Sequence, residues 1–318
     1  MQENKLLMLS PVVLFVYNRP SHTEQTLIAL KNNELANESV LYIFSDGPKT
    51  NANDEQLQNI NKVREIIRKD LWCNEVIINE SSENRGLGTS VYLGITEVIN
   101  KYGKVIVLED DLITSQGFLK YHNDALNLYQ NDEMVMHISS FLPAFKRQNR
   151  LPETFFLGNM SCWGWSTWKR AWDKYNRDAS YLYNEITKSK KILYDFNLDG
   201  TRNLHIQFED NLSGKSNTWA IYWYSIIYLL NGLCLYPKQS LVENIGWDGS
   251  GTNTIALKNN PYKVTLIDSI EVNRIPLKKS DIARKYIKSF HKSLKIPPLK
   301  VRVKRKIKEI LKSLSILK

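Results

Sequence analysis

Three consecutive carboxylates, Glu109-Asp110-Asp111, follow directly after the apolar run of residues 105–108. Acids this close together at the end of a buried strand repel one another unless a cation lies among them. Mg²⁺ and Mn²⁺ prefer oxygen ligands and bind through one or two carboxylates together with substrate phosphates. Such an ion neutralises the charge that develops on a diphosphate leaving group. A solvated acidic turn is the alternative, but three acids after a buried strand favour a metal site.

Polar side chains also follow two other predicted strands, with Asn18 and Arg19 after residues 11–17 and Asp46 after residues 40–44. In open α/β sheets ligands bind at the carboxyl ends of the strands, so these side chains are candidate ligand contacts. The guanidinium of Arg19 suits phosphate oxygens, although a surface salt bridge explains it equally well. Asp46 either accepts a hydrogen bond from a base or ribose, or forms an Asx-type turn before the glycine that follows it.

Arg85 lies in a loop with two glycines, Gly86 and Gly88, and has the same two interpretations, a ligand contact or a surface charge. The glycines alone say little. No G-x-G-x-x-G follows the first predicted strand, which argues against a dinucleotide-binding fingerprint.

The elements that must position these residues alternate along the first half of the chain. Strands are predicted at residues 11–17, 40–44, 76–78, 105–108 and 134–139. Helices are predicted at residues 21–30, where Ser21 and Glu24 match a capping box, and at residues 54–69, 90–102 and 118–129. This alternation predicts an α/β fold with a mostly parallel, Rossmann-like sheet flanked by helices.

The pattern changes after about residue 142, where tryptophans cluster. They stand at Trp163, Trp165, Trp168, Trp172, Trp219, Trp223 and Trp247. We expect a Trp-rich subdomain on the same core and a buried helix, rather than a membrane span, in the apolar stretch of residues 219–236. The predicted organisation is one half over residues 1–140, a second half of the same domain over 141–276, and a tail over 277–318.

The charge of +10 over 318 residues belongs to the tail. Residues 277–318 hold fifteen Lys/Arg and two Asp/Glu, a net +13, so the other 276 residues sum to −3. A slightly acidic body argues against nucleic acid as a partner. The three cysteines show neither metal-ligand spacing nor a disulfide framework, which favours a reducing compartment.

The last part of the tail has apolar residues at helical spacing with basic residues between them. The apolar set is Val303, Ile307, Ile310, Leu311, Leu314 and Leu317. A basic amphipathic helix of this kind lies on an anionic membrane surface. A solvated basic tail is the alternative.

The chain resembles the GT-A glycosyltransferases, in particular the N-acetylglucosaminyltransferase I-like group and its bacterial polysaccharide-biosynthesis relatives. The resemblance spans roughly residues 10–255. The segments that carry it are residues 15–19 (FVYNR), 45–47 (SDG), 105–112 (VIVLEDDL) and 164–165 (GW).

The resemblance implies a nucleotide-sugar donor, a divalent metal such as Mn²⁺ or Mg²⁺, and inversion at the anomeric carbon. It implies that Asp111 binds the metal, that Glu109 and Asp110 contact the sugar and ribose, and that Arg19 and Asp46 contact the nucleotide. Residues 1–140 then bind the nucleotide sugar, and residues 141–276 bind the acceptor.

One segment departs from the family. Its catalytic base is an aspartate in a Trp-Asp-Asp-Trp-like segment, whereas the matching residues 219–223 (WAIYW) hold Ala220 and Ile221 and no acid. An inverting transfer needs a group that takes the acceptor proton. Asp248 is the preferred candidate over Glu209, Asp210 and Glu243, because the glycines around it suit a loop that closes over a donor. An ordinary Asp-Gly turn is the alternative.

Tryptophan rings can offer an apolar face to a sugar. Trp163, Trp165 and Trp247 lie near glycines and are the predicted acceptor contacts, whereas Trp168 and Trp172 are predicted to be core residues. His137 lies in a predicted strand, where a structural role is expected more often than a metal ligand.

The combined hypothesis is a cytoplasmic enzyme, peripheral on the inner face of the cell membrane. It would move a sugar, with a UDP-sugar as the expected donor, to a lipid-linked oligosaccharide in surface polysaccharide (O-antigen or capsule) synthesis. A sugar nucleotidyltransferase and a non-catalytic or degenerate carbohydrate-binding protein are the alternatives. The missing family base motivates the second of these.

Overall fold

Apolar runs of strand length form the centre of the fold in a computed structural model that describes residues 9–250 and 260–294. The strands of the first half are β1 (Val12–Val16), β2 (Val40–Ser45), β3 (Glu75–Glu80) and β4 (Lys104–Glu109). The helices between and after them are α1 (Pro20–Lys31), α2 (Asp54–Ile66), α3 (Leu87–Tyr102) and α4 (Phe118–Leu128). Each predicted strand and helix of this half is present.

The remaining part of the described chain, from residue 112 onwards, adds six strands and six further helices. Its strands are β5 (Leu112–Thr114), β6 (Val135–Ser139), β7 (Thr154–Leu157), β8 (Trp165–Trp168), β9 (Leu233–Pro237) and β10 (Val242–Asn244). Its helices are α5 (Lys169–Trp172), α6 (Ala179–Thr187), α7 (Lys190–Phe196), α8 (Ile206–Leu212), α9 (Ala220–Leu229) and α10 (Asp281–Leu294). No helix in the described part of the chain is long and apolar enough to span a bilayer.

The main sheet has the strand order β3-β2-β1-β4-β8-β6-β9-β7. Neighbours from β3 to β4 are all parallel, and so are β6 and β9, whereas β8 runs antiparallel to both of its neighbours. The prediction of an α/β fold with a mostly parallel sheet flanked by helices is confirmed. Because β1, β2 and β4 are parallel, their carboxyl ends meet at one edge of the sheet.

Side chains of β1 alternate between two apolar layers, which is why every residue of the strand is buried. Val13 and Phe15 belong to the layer that includes α3 and α9, and Val12 and Leu14 to the layer that includes α1 and α4. The helices therefore cover both faces of the sheet and leave its edges for loops.

Some local predictions need correction. α1 begins at Pro20, and its N-cap Arg19 has no side-chain capping bond, so the capping box of Ser21 does not form. The fixed φ of proline suits the first helical position instead. The apolar stretch of residues 219–236 is helix α9 followed by strand β9, because Asn231 at φ +52° and the glycine after it end the helix.

The predicted tail of residues 277–318 begins with a helix that packs on the body. Ala283 and Ile287 of α10 are buried in the same layer as α9. The amphipathic segment from Val303 to Leu317 lies outside the described residues, and the domain boundaries stay a prediction.

Candidate active site

The acidic cluster lies at the end of β4, with Asp110 5% and Asp111 7% exposed. β1 lies beside β4 with Phe15 opposite Glu109, so the residues that follow β1 reach across to the cluster. Arg19 forms ion pairs with Asp110 and with Asp111, the latter at 3.0 Å between Nη2 and Oδ2. The sheet thus brings together two of the sequence-predicted groups, and Asn18 lies next to them in the chain.

Burial raises the pKa values of two acids of the cluster. For Glu109, burial and then the neighbouring Asp111 and Asp110 raise the pKa to about 8, although Arg19 acts to lower it. Burial also raises the pKa of Asp110 although Arg19 opposes the change. For Arg19, burial acts to lower the pKa and the two aspartates outweigh it, so the pKa is raised.

A second, two-stranded sheet holds Asp111 from the other side. β5 and β10 pair antiparallel, with Asn244 opposite Leu112. Asn244 then donates from its Nδ2 to Asp111 Oδ1 at 3.2 Å, and the Ile245 amide donates to the Asp111 carbonyl at 2.9 Å. A Cβ on Gly246 would lie 2.3 Å from Asp111 Oδ2, so only glycine fits this approach.

The donor set at the cluster fits a divalent cation of the magnesium or manganese type. In residues 9–250 and 260–294, no group of three or more His, Cys, Asp or Glu side chains lies close enough together to bind a metal ion by itself. Mg²⁺ does not need such a group, because it binds through one or two carboxylates and takes its other oxygens from substrate and water. Asp110 and Asp111 supply adjacent buried carboxylates, and within the described residues Arg19 is the one arginine or lysine paired with them.

Asp46, at the end of β2, organises the glycine loop. Its carboxylate accepts hydrogen bonds from the amides of Gly47, Arg85 and Gly86 at 2.8–3.0 Å and from Asn84 Nδ2 at 3.0 Å. The predicted Asx-type turn does not form, because the residue two positions on is Pro48, which has no N–H to donate, and the carboxylate binds the distant loop instead. Arg85 contributes its backbone to this contact, and a nucleotide contact by either side chain stays a prediction.

Asp248 lies after β10 and forms an ion pair with His22 of α1, at 3.2 Å between Oδ2 and Nε2. Its side chain is 49% exposed. Burial acts to raise the pKa of Asp248, and hydrogen bonds from Ser250 outweigh it and lower the pKa. The group is thus a carboxylate open to solvent, carried by the same segment as Gly246, which touches the acidic cluster.

A cavity of about 310 Å³ opens next to the cluster. Trp163 and Trp247 line it with their rings 6.0 Å apart, and Tyr262 stacks on Trp247 at 5.0 Å between ring centroids. Cys162 also lines it and lies within electrostatic reach of Glu109 and Asp111, whose charges add to burial in raising the pKa of its thiol to about 12.

Trp165 is 1% exposed and packs in the core. Its ring stacks on His137 at 5.1 Å and on Trp219 at 5.2 Å. The prediction that Trp165 contacts the acceptor is therefore wrong, because its ring is buried. His137 is structural, because its Nδ1 accepts from Trp223 Nε1 at 3.1 Å and its Nε2 donates to the Ser161 carbonyl at 3.0 Å.

Ala220 and Ile221 line the cavity, at the position where the resembling family carries its acid. The sequence analysis missed Asn244, Gly246 and Arg202, of which the first two contact Asp111 and the third lines the cavity. The glycines around Asp248 indicated a functional loop. They did not show that this loop contacts Asp111, because that contact depends on the pairing of β5 with β10, two short strands far apart in sequence.

No protein-family model and no curated protein matches this sequence. Among solved structures, the chain is similar to the mannosyltransferase PcManGT from Pyrobaculum calidifontis in complex with GDP-Man and Mn²⁺. The alignment has 10% identity and a TM-score of 0.40, and covers 69% of each chain. TarS of S. aureus aligns with 17% identity and a TM-score of 0.31, over 44% of this chain and 23% of its own.

Proposed function

We propose that this chain is a metal-dependent glycosyltransferase that takes a sugar from a nucleotide-sugar donor, with a UDP-sugar as the expected donor. One observation carries the proposal. Three carboxylates lie at the carboxyl edge of a mostly parallel sheet, two of them paired with Arg19, next to an aromatic cavity of about 310 Å³.

In this proposal Asp111 would hold the divalent ion, which when bound would neutralise charge on the diphosphate, and Glu109 and Asp110 would contact the sugar and ribose. Arg19 lies beside Asp110 and Asp111, where its guanidinium can pair with a donor phosphate. Asp46 holds the glycine loop at the same edge of the sheet, and we assign that loop to the nucleotide.

Asp248 is the proposed base, because it is an ionised carboxylate on the segment that contacts Asp111. It would take the proton of the acceptor hydroxyl while the acceptor oxygen bonds to the anomeric carbon. The bond from that carbon to the diphosphate oxygen breaks, and the diphosphate leaves with the electron pair. Direct attack of this kind inverts the anomeric centre.

The finer parts of the proposal come from the family resemblance and the charge pattern. Membership of the N-acetylglucosaminyltransferase I-like group rests on residues 105–112 and 15–19. A lipid-linked oligosaccharide acceptor, and a place on the inner face of the cell membrane, rest on the net +13 of residues 277–318.

Calorimetric titration of a panel of nucleotide sugars, with Mn²⁺ and with chelator, tests the donor site. We expect one donor to bind with Mn²⁺, to bind far more weakly with chelator, and to be lost in Asp111→Asn. Asp54→Asn makes the same chemical change on the exposed first turn of α2 and should bind like wild type. Failure of every nucleotide sugar to bind folded protein with Mn²⁺ would contradict the proposal.

Ala220 and Ile221 at the cavity favour one alternative, a protein that binds sugars without transferring them. Release of free nucleoside diphosphate from the bound donor separates the two. Turnover by wild type, with slow turnover but near-normal donor affinity in Asp248→Asn, supports the enzyme and its base. Donor binding without any release of diphosphate supports the alternative.

A further inference from the structure

The cavity beside the acidic cluster contains one formal charge. Of the described residues that line it, Arg202 is the only lysine, arginine, aspartate or glutamate, and most of the others are apolar or aromatic. Arg202 lies within electrostatic reach of Cys162, which is itself in reach of Glu109 and Asp111. Arg202 and Cys162 therefore line one cavity, and Cys162 lies on the side of that cavity nearest the acidic cluster.

The guanidinium of Arg202 has no hydrogen bond or ion pair with any residue in the described ranges. Arg284, by contrast, pairs with both Asp195 and Asp199. A guanidinium carries five N–H donors, and those of half-buried Arg202 are left for solvent or for a ligand in the cavity. An anionic group on the occupant of the cavity would complete this site.

The loop before Arg202 is held in a strained conformation that points to a positioned group rather than a loose surface arginine. Leu198 and Asp199 have φ of +52° and +55°, in the left-handed region that non-glycine residues seldom adopt. Asp199 is fixed by Arg284 at 2.9 Å and by Lys288 at 3.0 Å, both from α10. Strain of this kind persists only where surrounding contacts hold it, and it concentrates at ligand clamps.

The aromatic wall of the cavity suits a sugar. Trp163 and Trp247 line it, and Tyr262 stacks on Trp247 at 5.0 Å between ring centroids. The indole N–H of Trp247 is itself shielded from solvent, so this residue offers the cavity an apolar ring face. A ligand with an apolar face of its own would pack against that wall.

We propose that this cavity binds the acceptor sugar through an anionic group, a carboxylate or a phosphate, that pairs with Arg202. The guanidinium fork matches the two oxygens of either group, and the aromatic residues Trp163 and Trp247 contact the sugar ring. Naming the occupant as the acceptor rests on the proposed glycosyltransferase function. The preference for an anion rests on the cavity alone.

The test measures affinities of three probes by calorimetry or NMR titration, in chelator so that the metal-dependent donor site is silent. The probes are methyl β-glucuronide, glucose 1-phosphate and the neutral methyl β-glucoside. We expect wild type to bind at least one anionic probe about tenfold more tightly than the neutral glucoside, the usual effect of a charge-assisted hydrogen bond. Whichever anion is preferred identifies the carboxylate or the phosphate.

Arg202→Gln should lose this preference, and Arg202→Lys should keep part of it, because lysine retains the charge without the fork. Arg150→Gln removes an exposed arginine that does not line the cavity and should match wild type. Equal affinity for all three probes, no binding of either anion, or a preference that survives in Arg202→Gln would overturn the proposal.

Nucleotide-sugar binding with Mn²⁺, measured on the same proteins, tests the proposed transferase function separately from the anion preference of the cavity. Donor binding retained in Arg202→Gln, with the anion preference lost, supports both. Donor binding absent in wild type, with the anion preference present, would remove the transferase and leave an anion-selective sugar site.

Discussion

At the residue scale, Asp111 is held by Arg19, Asn244 and the Ile245 amide, and Gly246 packs against its carboxylate. The acids themselves were predictable, because three consecutive carboxylates after an apolar strand are a local pattern. The pairing of Arg19 with them was one of two equal interpretations, since sequence alone does not show which strands are neighbours. Asn244 and Gly246 were not predicted at all.

Replacing Gly246 by alanine should damage the donor site more than the fold. The added Cβ would lie 2.3 Å from Asp111 Oδ2 and 3.1 Å from Arg19 Nη1, so the carboxylate and the guanidinium must move. We expect a loss of about 1–3 kcal/mol in unfolding free energy, as for other overpacked sites. Mn²⁺-dependent donor affinity should fall at least tenfold in calorimetric titration.

Gly214→Ala is the control for that measurement. It places alanine at φ +73° with no atom within 4 Å of the new Cβ, so it adds backbone strain away from the cluster. Donor affinity that falls equally in both variants would mean that general destabilisation, and not displacement of Asp111, is responsible.

The tryptophans show why the acceptor side was harder to predict. Trp163 and Trp165 are two residues apart and would share a face in a continuous strand. Gly164 at φ +62° turns the chain just before β8, so Trp163 lines the cavity and Trp165 enters the core. Sequence gives the tryptophans and the glycine but not the direction of the turn.

At the element scale, β5 and β10 hold the cluster although each has only three residues. Strands this short carry no measurable periodicity, and the two lie more than a hundred residues apart. The longer β1, β2 and β4, by contrast, were predicted from continuous apolar runs. The pairing of β5 with β10 therefore had to come from the structure.

The loop after β3 depends on Asp46, and Asp46→Asn tests that dependence. Asparagine keeps one acceptor oxygen and replaces the other with a donor, so hydrogen bonds from the Gly86 amide and Asn84 Nδ2 are lost. We expect a loss of about 1–3 kcal/mol in unfolding free energy, the range for unsatisfied buried groups.

Hydrogen exchange measures the same change locally. The Gly86 amide, which loses its acceptor, should exchange faster in Asp46→Asn than in wild type, while amides in β1 stay protected. Asp54→Asn serves as the control because Asp54 lies on an exposed helix turn. Unchanged protection of Gly86 in Asp46→Asn would show that the bonds to Asp46 Oδ2 are not what holds the loop.

At the scale of the whole molecule, buried histidines make stability depend on pH. Burial lowers the pKa of His137 to about 3, below its usual value near 6.5, and burial also lowers the pKa of His122. Between about pH 6.5 and pH 3, His137 therefore binds a proton in the unfolded chain but stays neutral in the folded chain. The stability is present in full above about pH 6.5 and is lost as the pH falls from there towards 3.

Urea unfolding at pH 7.5 and pH 5.0 tests this for His137→Gln. Between those two values His137 should account for a loss of about 2 kcal/mol in the wild type. The variant, which has no group to titrate at this position, should show a shallower pH dependence than wild type even if it is less stable at both. His205→Gln, outside the core, is the control for loss of a histidine as such. The same change in unfolding free energy with pH in His137→Gln and in wild type would show that His137 is not the group responsible.

Trp219 joins the core to the acidic cluster, because its ring stacks on Trp165 and it lies close enough to Glu109 to act against the rise in the pKa of that carboxyl. Trp165 stacks in turn on His137, so the acid rests against a column of tightly packed rings. Packed rings, unlike water, do not reorient when a charge appears beside them. New charge at Glu109 is therefore poorly solvated by this wall, and the carboxyl gives up its proton only at a higher pH than an exposed one does.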